Sequence, residues 1–188
     1  MAEWVEKSLG EVTSYIAKGI PPQYTDKYSE NVIYVLNQKC NRDYSVSYEQ
    51  ARLHDLSKKK IVEEKMLKSG DVLINSTGEG TAGRVAQLWN IPSQTTVDGH
   101  MIILRPTSEV DTLYYGYAIK AQQFMIESLA EGSTGQTEIN RKRLQEEITI
   151  SYPKDKKKQH SIAKILEEID KKIEVNNQIN RNLSEKVA

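Results

Sequence analysis

Residues 159–188 read QHSIAKILEEIDKKIEVNNQINRNLSEKVA, and this stretch contains neither glycine nor proline. Its apolar and amide side chains recur at alternating intervals of four and three residues. The positions are Ile162, Leu166, Ile169, Ile173, Asn176, Asn180, Leu183 and Val187. This heptad spacing is typical of a helix that supercoils with another helix. At about 1.5 Å per residue, the helix from His160 to Val187 would extend roughly 42 Å.

A helix of this kind cannot bury its own apolar stripe. It either docks on the domain that precedes it or pairs with a second copy or a partner protein. Asn176 and Asn180 favour pairing, because buried amide side chains fix the register of paired helices at a cost in stability. The preceding region offers no second heptad helix. We therefore predict a dimerisation surface formed by Ile162, Leu166, Ile169, Ile173, Asn176, Asn180 and Leu183.

The chain before this helix has the pattern of a domain with several strands. Short runs rich in β-branched and aliphatic residues predict strands. These runs lie at residues 31–36, 72–74, 84–88, 101–104 and 148–152. Strands with helices between them indicate a mixed α/β (α+β) domain over residues 1–152. One long coiled-coil helix over residues 153–188 would follow it.

Two helices are predicted within this domain. Apolar residues at helical spacing favour a helix over residues 108–129. Ser108 and Asp111 would start it as a capping box, and Gly132 would end it. Asn140 is predicted to cap a second, short helix through Leu144.

Composition excludes several classes of protein. Of the 188 residues, 38% are hydrophobic, and no apolar run reaches the roughly 18 residues of a membrane-spanning helix. Cys40 is the only cysteine, and the three histidines lie far apart, which argues against disulfides and a structural zinc site. The N-terminal residues do not resemble a signal peptide, so we expect a soluble, cytoplasmic protein. The 26 basic and 26 acidic residues balance, so binding to a polyanion would have to be local.

Residues 78–83 (GEGTAG) match the G-x-G-x-x-G pattern of nucleotide-binding loops, and Asp98 follows where a ribose-binding acid would lie. The context is unfavourable, because residues 84–88 predict a strand where a dinucleotide fold requires a helix. The alternative is a glycine-rich turn, in which glycine supplies positive φ angles and close backbone approach. No other catalytic motif is present, and we expect no enzyme activity.

Polar and basic side chains in several segments have the chemistry that binds DNA. Asn and Gln can pair with adenine, and Arg and Lys with guanine. Hydroxyl and cationic groups also bind phosphates. The candidate DNA-binding residues are Asn37, Gln38, Lys39, Arg42, Ser76, Thr77, Arg84, Thr134, Gln136, Arg141 and Lys142. Residue type alone is equally compatible with ordinary polar surface turns.

Several short segments, taken in order, resemble one family. They are residues 9–12 (LGEV), 70–78 (GDVLINSTG), 83–86 (GRVA), 98–100 (DGH), 132–136 (GSTGQ), 139–140 (IN) and 162–166 (IAKIL). Together they resemble the target-recognition domain of Type I restriction-modification specificity subunits, over nearly the whole chain.

The resemblance implies a function. A specificity subunit of this family reads DNA, is not itself catalytic, and carries methyltransferase (M) and restriction (R) subunits to the site. S-adenosylmethionine is expected on the methyltransferase partner, so no cofactor is expected on this chain. A usual member has two recognition domains and two long helices that pack antiparallel. This chain has one of each, which implies a half-length form.

The heptad helix and the resemblance together predict a homodimer. An antiparallel pair would place two identical domains at opposite ends of a rod of roughly 42 Å, or about twelve base pairs at ~3.4 Å each. The target would be a bipartite palindromic site on double-stranded DNA, with an unread gap. Two alternatives stay open. One is a coiled-coil scaffold that does not read DNA, and the other is a small nucleotide-binding enzyme that uses the glycine loop at 78–83.

Overall fold

Two four-stranded sheets form the centre of the molecule, whose computed structural model describes residues 3–131 and 137–187. The strands are β1 (Trp4–Ser8), β2 (Thr13–Lys18), β3 (Tyr24–Thr25), β4 (Val32–Leu36), β5 (Asn41–Arg42), β6 (Ser45–Val46), β7 (Arg52–Asp55), β8 (Val72–Asn75), β9 (Val85–Gln87), β10 (Thr95–Val97), β11 (Met101–Pro106), β12 (Ala130–Glu131), β13 (Glu138–Ile139) and β14 (Thr149–Pro153). The helices are α1 (Thr112–Ala121), α2 (Gln123–Ser128), α3 (Arg141–Glu147) and α4 (Lys156–Val187). The five predicted strands are present as β4, β8, β9, β11 and β14.

The central sheet has the strand order β2-β11-β8-β9, and each neighbouring pair is antiparallel. Both of its faces are covered, which explains why β8 and β11 are continuous apolar runs rather than alternating ones. On one face, Leu73 and Ile103 pack with Val97. On the other face, Ile74 and Ile102 belong to the core that includes the buried residues of α1.

The second sheet has the order β10-β4-β7-β3, and it brings two polar segments together. Strands β10 and β4 are parallel, so their C-terminal ends lie at the same edge. The segments that follow these strands are residues 37–40 and 98–100. The N–H of Asp98 donates to the carbonyl of Leu36 over 2.9 Å, which joins the two segments directly.

The helix predicted over residues 108–129 is wrong in its bounds. Asp111, not Ser108, is the N-cap, since its side chain accepts from the N–H of Tyr114. At Gln122 the backbone leaves helical geometry, so two helices form, and the chain enters β12 after α2. Gly132 lies outside the described residues. The prediction for Asn140 is confirmed, because its side chain accepts from the N–H groups of residues 142 and 143 at the start of α3.

The long helix α4 begins at Lys156 and docks on the domain through its first turns. Gln159 and Ala163 are fully buried. The Gln159 amide accepts from the N–H of Asp111 and donates to the carbonyl of Pro153. Further along, Asp170 accepts from the Tyr117 hydroxyl and from Lys120 of α1. The division into residues 1–152 and 153–188 stays a prediction, since α4 shares its first turns with the domain core.

A buried ion pair fixes the edge of the central sheet. The Arg105 guanidinium donates to both carboxylate oxygens of Asp71 over 2.8 and 2.9 Å, and also to the carbonyls of Glu64 and Met66. Arg105 also lies over the Tyr15 ring, 4.5 Å from its centroid. Over the described ranges, none of the helices has both the length and the apolar character to cross a bilayer.

Candidate nucleic-acid interface

A polar cleft of about 400 Å³ lies at the edge where β4 and β10 end. It is lined by Tyr24, residues 37–39, residues 49–52, Asp98 and His100. Three of the predicted DNA-binding residues, Asn37, Gln38 and Lys39, therefore lie together in one concave surface. The rest of the lining comes from residues that sequence reasoning did not select for DNA binding.

Asn37 holds the shape of the cleft. Its side-chain oxygen accepts from the N–H of Lys39 over 2.9 Å, and its amide nitrogen donates to the carbonyl of Gln50 over 2.7 Å. Both polar ends of the side chain are therefore engaged in the protein. Asn37 shapes the loop, and its neighbours Gln38 and Lys39 are left to contact a ligand.

Gln38 and Thr77 come together from different sheets. The Thr77 hydroxyl lies 3.5 Å from the Gln38 side-chain oxygen and 2.8 Å from Nδ1 of His100. No hydrogen-bond partner of the Gln38 amide nitrogen occurs within residues 3–131 and 137–187, and Lys39 is exposed. These side chains offer hydrogen-bond donors and acceptors of the kind that pair with base edges.

Ser76 does not lie on the surface. The side chain is fully buried, and its hydroxyl has no hydrogen-bond partner among the described residues. The backbone of Ser76 instead accepts from the N–H of Ile139 over 2.8 Å. Ser76 thus connects β13 to the cleft but presents no side-chain group to a ligand in this conformation.

The glycine loop at 78–83 is a turn. Gly78 and Gly83 have φ angles of +108° and +90°. A Cβ added at Gly83 would lie 2.6 Å from Cα of Glu127, so only glycine fits against α2. The loop leads into β9, which pairs antiparallel with β8. The nucleotide-binding interpretation lacks the helix N-terminus that would hold a phosphate and is therefore wrong.

Arg42 and Arg84 lie together in a second concavity, of about 260 Å³, called here the hairpin cleft. Arg42 is exposed on the β5–β6 hairpin, whose turn residues Asp43 and Tyr44 have φ angles of 52° and 59°. Arg84 donates to the carbonyl of Gly80 over 3.0 Å. Gly78 lies beside the Gln38 side chain of the polar cleft. The glycine loop is therefore located between the polar cleft and the hairpin cleft.

Arg141 and Lys142 are exposed in the first turn of α3. Lys142 approaches Glu146 only to 3.9 Å, whereas the adjacent Arg143 is bound by Glu147 and Glu131. The N–H of Gly78 donates to the carbonyl of Thr137 over 3.3 Å, which brings the segment before α3 to the glycine loop. Thr134 and Gln136 lie outside the described residues.

Seven lining residues of the polar cleft were missed as DNA-binding candidates, and four of these, Tyr24, Arg52, Asp98 and His100, contact one another in turn. Arg52 lies over the Tyr24 ring, with its Cζ 3.5 Å from the ring centroid. The buried Asp98 carboxylate accepts from the N–H of His100 over 2.9 Å and from the Tyr24 hydroxyl over 3.4 Å. Burial raises the pKa of the Asp98 carboxyl, although the hydrogen bond from His100 opposes that shift. The Asp-Gly pair at 98–99 signals a turn, but nothing in the sequence places Tyr24 beside Arg52.

The predicted dimerisation residues of α4 are called here the heptad stripe. The prediction is wrong for Ile162, which packs against the domain core, but the rest of the stripe lies away from the residues that dock on the domain. Ile162 is half-buried, but Leu166, Ile169, Ile173 and Leu183 are 39%, 49%, 51% and 57% exposed. Asn176 and Asn180 are exposed as well. Helix α4 therefore docks on its own domain and also carries an exposed apolar stripe.

Comparison with known proteins identifies the family. Residues 1–185 match the family described as Type I restriction modification DNA specificity domain. The chain is similar to the Type-I restriction-modification system S subunit from M. genitalium, with 19% identity over 92% of this chain and 40% of that chain, at a TM-score of 0.62. The HsdS subunit from Thermoanaerobacter tengcongensis has 18% identity over 92% of this chain and 38% of that chain, at a TM-score of 0.66.

A third similar structure concerns complex assembly and conformational transition of the type I R-M system, with 18% identity and a TM-score of 0.63. It covers 92% of this chain and 39% of that one. The search of curated proteins finds no match. The chain spans about two fifths of the length of these three solved proteins. At this identity the structures share the fold, and the match over residues 1–185 shows that the chain belongs to the family of Type I restriction modification DNA specificity domains.

Proposed function

We propose that this chain is the DNA-reading specificity component of a Type I restriction-modification complex, and that it works as a homodimer. The observation that carries the proposal is the open heptad stripe of α4, on which Ile169 and Ile173 are about half exposed. A second copy would supply a helix to cover this stripe and a second polar cleft.

The polar cleft is the surface that we assign to base reading. Gln38 can pair with adenine through its amide, and Lys39 can reach guanine or a phosphate. Arg42, Arg84, Arg141 and Lys142 are arranged around the glycine loop and α3, where they can hold the DNA backbone. Because the chain has no net charge, these local groups rather than a general basic field would attract DNA.

Chemistry on the DNA would belong to the partners. The chain would carry methyltransferase and restriction subunits to the site without itself catalysing a reaction. S-adenosylmethionine would bind to the methyltransferase subunit. An antiparallel pair of α4 helices would present one polar cleft to each half of a bipartite, palindromic site.

The test is to co-express the full chain with a Type I methyltransferase subunit and to map methylated adenines in plasmid DNA. A symmetric bipartite motif is expected. Methylation of a single undivided motif would contradict the dimer, and no defined motif would contradict the reading of DNA. Light scattering of the purified chain gives an independent result, because a monomer at micromolar concentration would also contradict the dimer.

A further inference from the structure

Arg52 lies at the start of β7 and lines the polar cleft with Gln38 and Lys39. Within the second sheet, Tyr24 of β3 is directly opposite His54 of β7. Residues 52 and 54 point to the same face of a strand, so Tyr24 and Arg52 are diagonal neighbours across the pair. The pairing of β3 with β7 thus brings the ring beneath the guanidinium.

The environment of Arg52 differs from that of the arginines used for structure. The guanidinium groups of Arg105 and Arg143 donate hydrogen bonds to carboxylates. For Arg52, none of the carboxylates in the described part of the chain lies within ion-pair distance. Its guanidinium lies on the Tyr24 ring instead, 3.5 Å from the centroid. The ring restricts where the guanidinium can move, and N–H donors that no carboxylate occupies remain for a ligand.

The Tyr24 side chain is itself held in place by a hydrogen bond. Its hydroxyl donates to the buried Asp98 carboxylate, which also accepts from the N–H of His100. Asp98 attracts the guanidinium through charge as well, without contacting it. The Asp98–Tyr24 pair therefore fixes both the position of the ring and the side of the cleft on which Arg52 rests.

The charges around Arg52 favour a base over a phosphate. The cleft contains two cationic side chains, Lys39 and Arg52, and two acidic ones, Glu49 and Asp98. The two acidic groups offset the attraction of the two cations for a phosphate, whereas hydrogen bonding to the neutral edge of a base does not depend on net charge. A planar guanidinium can donate two hydrogen bonds to guanine, one to O6 and one to N7.

From this geometry we propose that Arg52 is a specificity-determining residue that reads a guanine, and that Tyr24 and Asp98 are its positioning residues. The proposal rests on the proposed function and adds the identity of one base in each half-site. The test uses the full chain in complex with the methyltransferase subunit. It measures binding to the mapped site and to variants with each guanine replaced.

Arg52→Lys keeps the charge and loses the planar fork. We expect its affinity for the mapped site to fall roughly 5- to 150-fold, while affinity for sites that lack one particular guanine is unchanged. Tyr24→Leu should lose the same guanine preference. Tyr24→Phe, which keeps the ring but loses the hydroxyl bound to Asp98, should lose part of it. Lys60→Ala, which removes an exposed charge outside the cleft, is the matched control and should change nothing.

Equal weakening of Arg52→Lys on all sequences would show a backbone contact and overturn the assignment. Arg52→Ala, which removes the charge, would in that case also flatten the salt dependence. An unchanged base preference in Arg52→Lys would overturn it as well. Thermal unfolding of each variant separates these results from loss of the fold. If the wild-type complex has no defined site, the proposed function fails; if it has one that Arg52→Lys leaves unaltered, only the Arg52 assignment fails.

Discussion

Arg105 and Arg143 both form ion pairs with carboxylates, but the Arg105 pair is largely buried and the Arg143 pair is exposed. Arg105 is 15% exposed and its partner Asp71 is 2% exposed, whereas Arg143 and its partner Glu147 are 34% and 46% exposed. Charges taken out of water interact strongly and are costly to leave unpaired, while exposed pairs are screened. The two arginines should therefore differ widely in their contribution to stability.

We expect Arg105→Ala to lower the free energy of unfolding by about 3–5 kcal/mol, because Asp71 would remain buried without a counter-charge. Arg143→Ala should cost far less, because its ion pairs are exposed to solvent and screened. Urea unfolding of both variants measures the difference. Equal losses would show that burial of Asp71 does not determine the effect.

The raised pKa of Asp98 predicts a dependence of stability on pH. The carboxyl keeps its proton to a higher pH in the folded chain than in the unfolded one, where its pKa is about 3.9. The contribution of Asp98 to the unfolding free energy of the wild type should therefore fall as pH rises from that value through the raised folded pKa. Asp98→Asn cannot ionise but keeps an acceptor for the N–H of His100, so it lacks this decline.

The stability of Asp98→Asn relative to wild type should thus increase with pH across that window and then level off. Urea unfolding at half-unit steps from pH 4 upward measures it, and the other titrating groups cancel in the difference. A constant or decreasing difference would contradict the prediction.

At the scale of elements, two glycines of the glycine loop separate the cost of a left-handed backbone from the cost of a steric clash with α2. Gly80 has a φ of +66° and open space where a Cβ would lie. Gly83 has a φ of +90°, and a Cβ there would also collide with the backbone of α2. Gly80→Ala should cost about 1–2 kcal/mol for the left-handed backbone alone. Gly83→Ala should cost a further ~1–3 kcal/mol, because α2 has to move. Denaturant unfolding compares the two, and equal costs would show that α2 yields freely.

The elements that could be predicted from the sequence are those whose pattern is local. Strands β8 and β11 are apolar runs buried on both faces, and β4 is an apolar run buried mainly on one face. Asn140 caps α3 through atoms two and three residues away. Strands β1, β2, β7 and β10 were missed because they are short or carry many polar side chains. The helix predicted over 108–129 failed because Asp111 competes with Ser108 for the cap, and spacing alone does not show the break at Gln122.

The candidate site was predictable in part for the same reason. Gln38, Lys39 and Thr77 follow apolar strands directly, so their chemistry is visible in the sequence. Arg52, Tyr24 and His100 are brought to the cleft by strand pairing between distant segments, which the sequence does not display. Ser76 has the right chemistry, but its burial is a consequence of packing.

At the scale of the whole molecule, the proposed homodimer depends on the heptad stripe. Ile169→Glu with Ile173→Glu should convert the dimer to a monomer, because two charges would enter an apolar interface. Both side chains are about half exposed in the single chain, so the domain should keep its melting temperature. Light scattering measures the mass, and Glu168→Gln, off the stripe, is the control. A double variant that remains dimeric would place the interface elsewhere.

The amides of the stripe should fix how the two helices align. Replacing both Asn176 and Asn180 with Leu removes that constraint, and we expect an altered oligomeric state or helix orientation. The measurement is the number of unread base pairs in the methylated motif, together with the mass by light scattering. If the variant keeps the dimer and the same gap, the amides do not set the register.

Strand β14 runs almost directly into α4, and its ladder with β1 joins residues 4–8 to residues 149–153. Tension applied along the rod would therefore be borne first by this five-residue ladder and by the Gln159 anchor. The sheet that holds the polar cleft shares no hydrogen-bonded strand with β14 within the described ranges. Tension that reached β14 would accordingly have no hydrogen-bonded strand along which to enter the sheet of the polar cleft, and it would reach that sheet only through the packing between the two sheets.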